Sequence, residues 1–216
     1  MTQFILQHSQ TEHVADGVMH VLGVAAAIAG VSGLLVWVVL TAQSEKLGPL
    51  IVYAIGILAT FSLSAAYNMT LHGPTRALLR KFDHAAIYLM IAGTYTPMAL
   101  IGMGGTAGWC LTGTVWVVAL TGIVLKLGFF DRVERIGLIL YMSLGWAVAL
   151  ITWPLLTTLP GPALALVIAG GITYTLGTVF HLYEPVPFSR AIWHGHVLAA
   201  AATHFAAVIL IVRMAA

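Results

Sequence analysis

The chain has 216 residues, 60% of them hydrophobic and only 7% charged, with a mean hydropathy of +0.99. Soluble globular domains carry roughly 25% charged residues, so this composition excludes a soluble fold and indicates a membrane protein. The formal net charge of +2 is too small for a phosphate-binding surface, which excludes nucleic acid as a partner. Cys110 is the single cysteine, and one thiol cannot form a disulfide within its own chain.

Apolar stretches separated by polar residues or by Gly and Pro predict the membrane-spanning helices. Each stretch is close to the roughly 20 residues that a helix needs to cross the hydrocarbon core. None shows the alternating pattern of a barrel strand. Seven stretches follow one another along the chain, at about 18–42, 50–71, 82–103, 109–129, 136–158, 163–183 and 191–212. We therefore predict an all-α membrane protein, a seven-transmembrane-helix bundle.

The segment before the first span, residues 1–17, contains no Lys or Arg. A secretory signal peptide has a basic leader and a short apolar core, so the first span is expected to be retained. We interpret 1–17 as a short cytoplasmic or interfacial segment and 18–216 as a single transmembrane domain.

The basic residues predict the orientation of the bundle, because Lys and Arg concentrate on the cytoplasmic side. Lys46 and Arg213 fall on the side opposite to the N-terminus. The side of the N-terminus holds Arg76, Arg80, Lys81, Lys126, Arg132, Arg135 and Arg190. This asymmetry predicts a cytoplasmic N-terminus and an external C-terminus. The protein is expected to be a multi-pass protein of the inner (plasma) membrane, with membrane lipid as its partner.

One proline interrupts the third span. Pro97 has no amide hydrogen, and its ring clashes with the carbonyl of Gly93 four residues before it. Both effects break the regular helical ladder, so the sequence predicts a kink in this helix.

Polar and ionisable residues collect at the ends of the spans that are predicted to be cytoplasmic. They are costly within a membrane, so their positions indicate function. Two series have a spacing of four and therefore line one helix face each: Ser64, Asn68 and His72 in one, Glu12, Asp16 and His20 in the other. Asp83 and His84 open the third span, His181 and Glu184 close the sixth, and His194 and His196 open the seventh. The alternative is that these side chains only extend to the membrane interface.

Five segments along the chain resemble the hemolysin III family. This family is the bacterial branch of the progestin and adipoQ receptor proteins, related to adiponectin receptors and alkaline ceramidases. The segments are Glu12-His-Val-Ala-Asp16 with His20, Ser64-Ala-Ala-Tyr67-Asn68, Arg80-Lys-Phe-Asp83-His84-Ala-Ala-Ile-Tyr88, Ala92-Gly-Thr-Tyr-Thr-Pro97, and Ala191-Ile-Trp193-His194 with His204-Phe205.

The resemblance implies a zinc site in the same layer. The family pattern has a Ser and a His four residues later in the second span, an Asp opening the third, and a His-x-x-x-His pair opening the seventh. Ser64, Asp83 and His194 match it, whereas Asn68 and Arg190 stand at two His positions. An amide is a poor zinc ligand, and a guanidinium opposes a dication. The ligand set expected here is therefore Asp83, His194 and Asn68, with His72 one turn beyond Asn68 as a replacement.

Three functions are compatible with this pattern. In the first, a zinc-dependent hydrolase acts on a lipid amide or ester, with Asp83 orienting the water and Ser64 donating a hydrogen bond. In the second, the chain is a non-enzymatic sensor or regulator of membrane state without a complete zinc site. Arg190, one turn before His194, is then expected to pair with Asp83 in place of the metal. The third is the cytolytic activity that gives the family its name.

Overall fold

The computed structural model of the protein describes residues 9–71, 73–151, 157–183 and 185–215. Within these ranges the chain is helical and contains no strand, which confirms the all-α prediction. The α-helices are α1 (Gln10–Leu40), α2 (Leu47–Met69), α3 (Pro74–Pro97), α4 (Gly105–Gly128), α5 (Phe130–Ile151), α6 (Gly161–Leu182) and α7 (Ser189–Met214). A short 3-10 helix, Ser44–Lys46, precedes α2.

The first helix begins at Gln10, about two turns before the start predicted near Val18. Ser9 and Glu12 form a capping box, in which the Glu12 amide donates to Ser9 Oγ at 3.2 Å and the Ser9 amide donates to Glu12 Oε2 at 2.7 Å. These bonds satisfy amides that would otherwise be unpaired at the helix start. Glu12 and Asp16 are therefore residues of α1 itself.

The third helix remains α-helical as far as Pro97 and then continues as a π-helix, Met98–Met103. The Gly104 amide donates to the Ala99 carbonyl at 2.9 Å, which is the wider π pattern. The departure from regular geometry thus follows Pro97 and is not centred on Gly93. At Gly93 the helix lies against α2, where an added Cβ would meet the Gly56 Cα at 3.5 Å.

The helices pack in chain order, and α7 closes the arrangement by packing on both α6 and α1. Among the described residues, six segments are long and apolar enough to cross a membrane: α1, α2 with its 3-10 turn, α3 with its π-helix, α4, α6 and α7. In α5 the apolar part is shorter, Ile136–Trp146. Large apolar side chains such as Val21 and Leu40 are exposed on the outside of the bundle, as expected of a surface in contact with lipid. The seventh span and the orientation of the termini stay predictions.

The contact between α2 and α3 depends on a small residue, Gly56. A Cβ at this position would lie 3.0 Å from the Leu89 carbonyl oxygen and 3.4 Å from the Met90 Cα. Backbone atoms cannot move aside as a flexible side chain can, so we expect Gly56→Val to lower the free energy of unfolding by about 1–3 kcal/mol.

Unfolding of the detergent-solubilised protein, followed by circular dichroism, measures this effect. Gly113→Val in α4 is the matched control, because no atom lies within 4 Å of a Cβ built there. If both variants lost the same free energy of unfolding, the close approach of α2 and α3 would not be the reason for a glycine at position 56.

Candidate metal centre

The first helix contributes one face of polar side chains to the bundle interior. Glu12, Asp16 and His20 are spaced by four, so they lie one above another on that face. Asp16 and His20 are only 1% and 4% exposed. A buried carboxylate and imidazole at this position require partners, because the surrounding helices and lipid offer no water.

The partners come from the start of α7. Phe188, just before this helix, has a left-handed backbone with φ of 60°, which is unfavourable for a residue with a side chain. Its amide donates to Glu12 Oε1 at 2.9 Å. This bond ties the start of α7 to the first turn of α1, and Arg190 and His194 then face Asp16.

Asp16 is the centre of the resulting cluster. Its Oδ1 contacts His194 Nδ1 at 2.5 Å, and its Oδ2 lies 3.5 Å from an Arg190 guanidinium nitrogen and 3.7 Å from His20 Nε2. The rings of His20 and His194 are adjacent, with centroids 4.3 Å apart. The Asp16 carboxylate is therefore in contact with two imidazoles, those of His20 and His194, and with the guanidinium of Arg190.

Two buried atoms of this cluster lack a hydrogen bond within the part of the chain that the structure describes. They are Asp16 Oδ2 and His20 Nε2. Together with a nitrogen of His194, the possible ligand atoms of the cluster all lie within 4.8 Å of one another. Asp16, His20 and His194 could therefore hold a metal ion.

The second helix reaches the same cluster through Arg190. The Arg190 guanidinium donates to Asn68 Oδ1 at 2.7 Å while it approaches Asp16. The Asn68 amide nitrogen in turn donates to the Ser64 carbonyl at 3.0 Å and approaches Ser64 Oγ at 3.4 Å. Asn68 is therefore an acceptor for the Arg190 guanidinium, and it is not one of the residues of the Asp16–His20–His194 group.

Asp83 lies at the edge of the cluster. Its carboxyl group faces the Ser64 hydroxyl and is close enough to His20 and Arg76 for an electrostatic interaction with each. Its Oδ2 is 3.6 Å from His84 Nδ1, and the side chain is 16% exposed. Asp83 thus borders the Asp16–His20–His194 group, with Ser64 between it and Asn68.

One of the expected pairings is wrong. Arg190 pairs with Asp16, whereas the sequence suggested Asp83 as its partner. The reason is that α7 packs directly on α1, so the face carrying Arg190 and His194 meets Asp16 first. His72, the expected replacement ligand, lies outside the described residues.

The sequence pattern puts Asp16 and His20 in the polar layer but does not identify them as ligands. The signal available in the sequence was their spacing of four on one face, followed directly by a long apolar run. His196, two residues after His194, is not part of the cluster: its ring lies against Phe180 of α6, and its Nδ1 contacts the Ile192 carbonyl.

The model of the family described as "Haemolysin-III related" matches residues 8–205 of the chain. The chain belongs to the hemolysin III family. Together with the six apolar helices, this membership makes it a multi-pass membrane protein, and the bacterial relatives place it in the plasma membrane.

Relatives within and beyond bacteria cover nearly the whole chain. "Hemolysin-3" of Bacillus cereus is 33% identical over 98% of this chain and 94% of its own length. The "Hemolysin-3 homolog" of Bacillus subtilis is 33% identical over 90% and 91% of the two chains. The human "Monocyte to macrophage differentiation factor" is 27% identical over 91% and 83%. Relatives from bacteria and from a mammal therefore match this chain over most of its length.

Proposed function

We propose that this hemolysin III protein is a zinc-dependent hydrolase of a membrane lipid amide or ester, with Asp16, His20 and His194 holding the metal. The observation that carries the proposal is the pair of buried atoms without a hydrogen bond, Asp16 Oδ2 and His20 Nε2, beside His194. A buried polar atom that lacks a hydrogen bond costs about 1–3 kcal/mol, and a metal ion at this point would bind both atoms.

The donor set suits zinc. One carboxylate and two imidazoles are the protein ligands of several catalytic zinc sites, which keep a fourth position for water or substrate. The negative charge of Asp16 offsets part of the charge of a dication. A bound zinc ion supplies Lewis-acid chemistry and lowers the pKa of its water to about 7.

The residues around the cluster have separate tasks in such a reaction. Asp83 borders the group and accepts a proton from the attacking water. The Ser64 hydroxyl, which faces Asp83, donates a hydrogen bond to the oxygen on which negative charge develops. The cluster lies near the start of α1 and of α7. A lipid whose amide or ester bond lies at the membrane interface is the substrate that would reach a site near the helix ends.

A second function is supported by Arg190. Its guanidinium lies 3.5 Å from Asp16 Oδ2 and 2.7 Å from Asn68 Oδ1, and it stands at a position where the family pattern has a histidine. In this second proposal the guanidinium replaces the metal, and the chain is a non-enzymatic regulator or sensor of membrane state.

Metal analysis of the purified protein separates the two proposals. For the hydrolase we expect about one zinc per chain, and a binding constant at least about tenfold weaker in His20→Ala because a ligand is lost. His196→Ala is the matched control, since that ring packs on Phe180 and should leave the metal content unchanged. Release of fatty acid from a fluorescent ceramide and from a fluorescent phospholipid should fall in parallel with the zinc. A wild-type protein without stoichiometric metal would exclude the hydrolase and leave the metal-free regulator.

A further inference from the structure

A second feature lies towards the opposite end of the bundle from Asp16, about 25 Å along α1. It is an open groove of about 500 Å³ between α1 and α7. We call it the α1/α7 groove, and its lining includes Gly30, Gly33, Trp37, Phe205, Ile209 and Arg213. Apart from the arginine these residues are apolar or glycine, so the groove suits a hydrocarbon chain.

The groove is deep because Gly30 and Gly33 carry no side chain, and the two glycines have different surroundings. A Cβ on Gly30 would lie 3.2 Å from the ring of Phe205, so this glycine is needed for the contact between the two helices. A Cβ on Gly33 would meet no atom within 4 Å. Packing within the chain therefore leaves the space over Gly33 open to a molecule from the bilayer.

A single exposed cation stands at the mouth of the groove. The side chain of Arg213, on the last turn of α7, is exposed and makes no hydrogen bond or ion pair within the described residues. Lys46 is at the same end but is 7% exposed, and its ammonium group donates to Gln43 Oε1 at 2.7 Å and to the Val212 carbonyl at 3.0 Å. Arg213 is thus the cation available for an anion from outside the chain.

We propose that the α1/α7 groove binds one anionic glycerophospholipid, with an acyl chain over Gly33 and the phosphate on Arg213. A guanidinium binds phosphate oxygens in a bidentate manner, and Trp37 beside it is a residue type common at the level of lipid headgroups. The two ends of the groove therefore match the two ends of a phospholipid.

A second copy of this chain is the competing occupant, and the charge of the groove opposes it. A two-fold dimer interface pairs a surface with itself. Two Arg213 guanidiniums would then share one poorly hydrated interface, and none of the groove's lining residues is acidic. A phospholipid supplies the missing negative charge and a dimer does not.

Native mass spectrometry of the detergent-solubilised protein, titrated with dioleoylphosphatidylglycerol or dioleoylphosphatidylcholine, tests this site. We expect one phosphatidylglycerol per chain, bound about tenfold more tightly than phosphatidylcholine, because the choline cation of phosphatidylcholine opposes the Arg213 guanidinium. Arg213→Gln should remove this preference, so that both lipids bind equally. Gly33→Leu should weaken both lipids because its side chain fills the groove.

Gly113→Leu is the matched control, since a Cβ on this glycine also meets nothing within 4 Å but lies on α4. It should bind both lipids as the wild type does, which shows that the effect of Gly33→Leu is local. Equal binding of the two lipids to the wild type would overturn the proposal. So would a wild-type dimer that Gly33→Leu converts to a monomer, because the occupant would then be a second copy.

Discussion

Replacing Asn68 and Arg190 together with histidine is expected to tighten zinc binding by about a hundredfold. The double variant removes a guanidinium that lies 3.5 Å from Asp16 Oδ2, where a fixed positive charge repels a dication through a poorly screened medium. It also places imidazoles at the two positions where the hemolysin III pattern has them. Competition between the protein and a chromophoric chelator, at fixed pH and ionic strength, gives the two binding constants.

Arg190→Gln is the control that separates charge from ligand number. It removes the positive charge without adding an imidazole, so we expect a gain smaller than that of the double variant. An affinity that is unchanged in the double variant would mean that the metal does not bind beside Asn68 and Arg190, and the proposed centre would be wrong.

Asp16→Ala is expected to lower the free energy of unfolding by about 3 kcal/mol, even with all metal removed. The change leaves Arg190, His20 and His194 without the carboxylate that they share, and removing one partner of a buried ion pair is far more costly than exchanging both. Thermal unfolding in detergent with excess EDTA measures the loss.

The control for this prediction is Asp131→Ala, because Asp131 is an exposed carboxylate in the first turn of α5. Its loss should change stability by less than about 0.5 kcal/mol. If the two variants were equally stable, Asp16 would not be the residue that joins α1 to α7, and the cluster would need another explanation.

The spans could be predicted from hydropathy because burial in lipid demands long apolar runs. The ends of α2 and α4 fall close to the positions predicted from apolar content alone. The start of α1 does not, because its first two turns carry Glu12 and Asp16 and look like a polar leader. These residues are helical because Ser9 and Glu12 cap the helix and because Asp16 faces the interior. An apolar composition indicates contact with lipid, whereas the first two turns of α1 place Asp16 against other helices of the protein.

The polar layer was also predictable, but its pairing was not. A spacing of four shows that Asp16 and His20 share a face, and that Arg190 and His194 share another. Which carboxylate Arg190 meets depends on which helices are neighbours, and that is decided by the packing of α7 on α1. The sequence suggested Asp83 as the partner of Arg190, and the spacing of the residues gave no sign that Asp16 lies within 3.5 Å of it.

The contact between Asp16 and His194 joins residues 178 positions apart in the chain. During synthesis α1 enters the membrane before α7. Asp16 and His20 therefore lack Arg190 and His194 as partners until every intervening helix has been inserted. The site therefore cannot exist in any nascent intermediate, and truncation before Phe188 would remove both the Glu12 tie and the cluster. Insertion of α7 is therefore the step that assembles the Asp16–His20–His194 cluster.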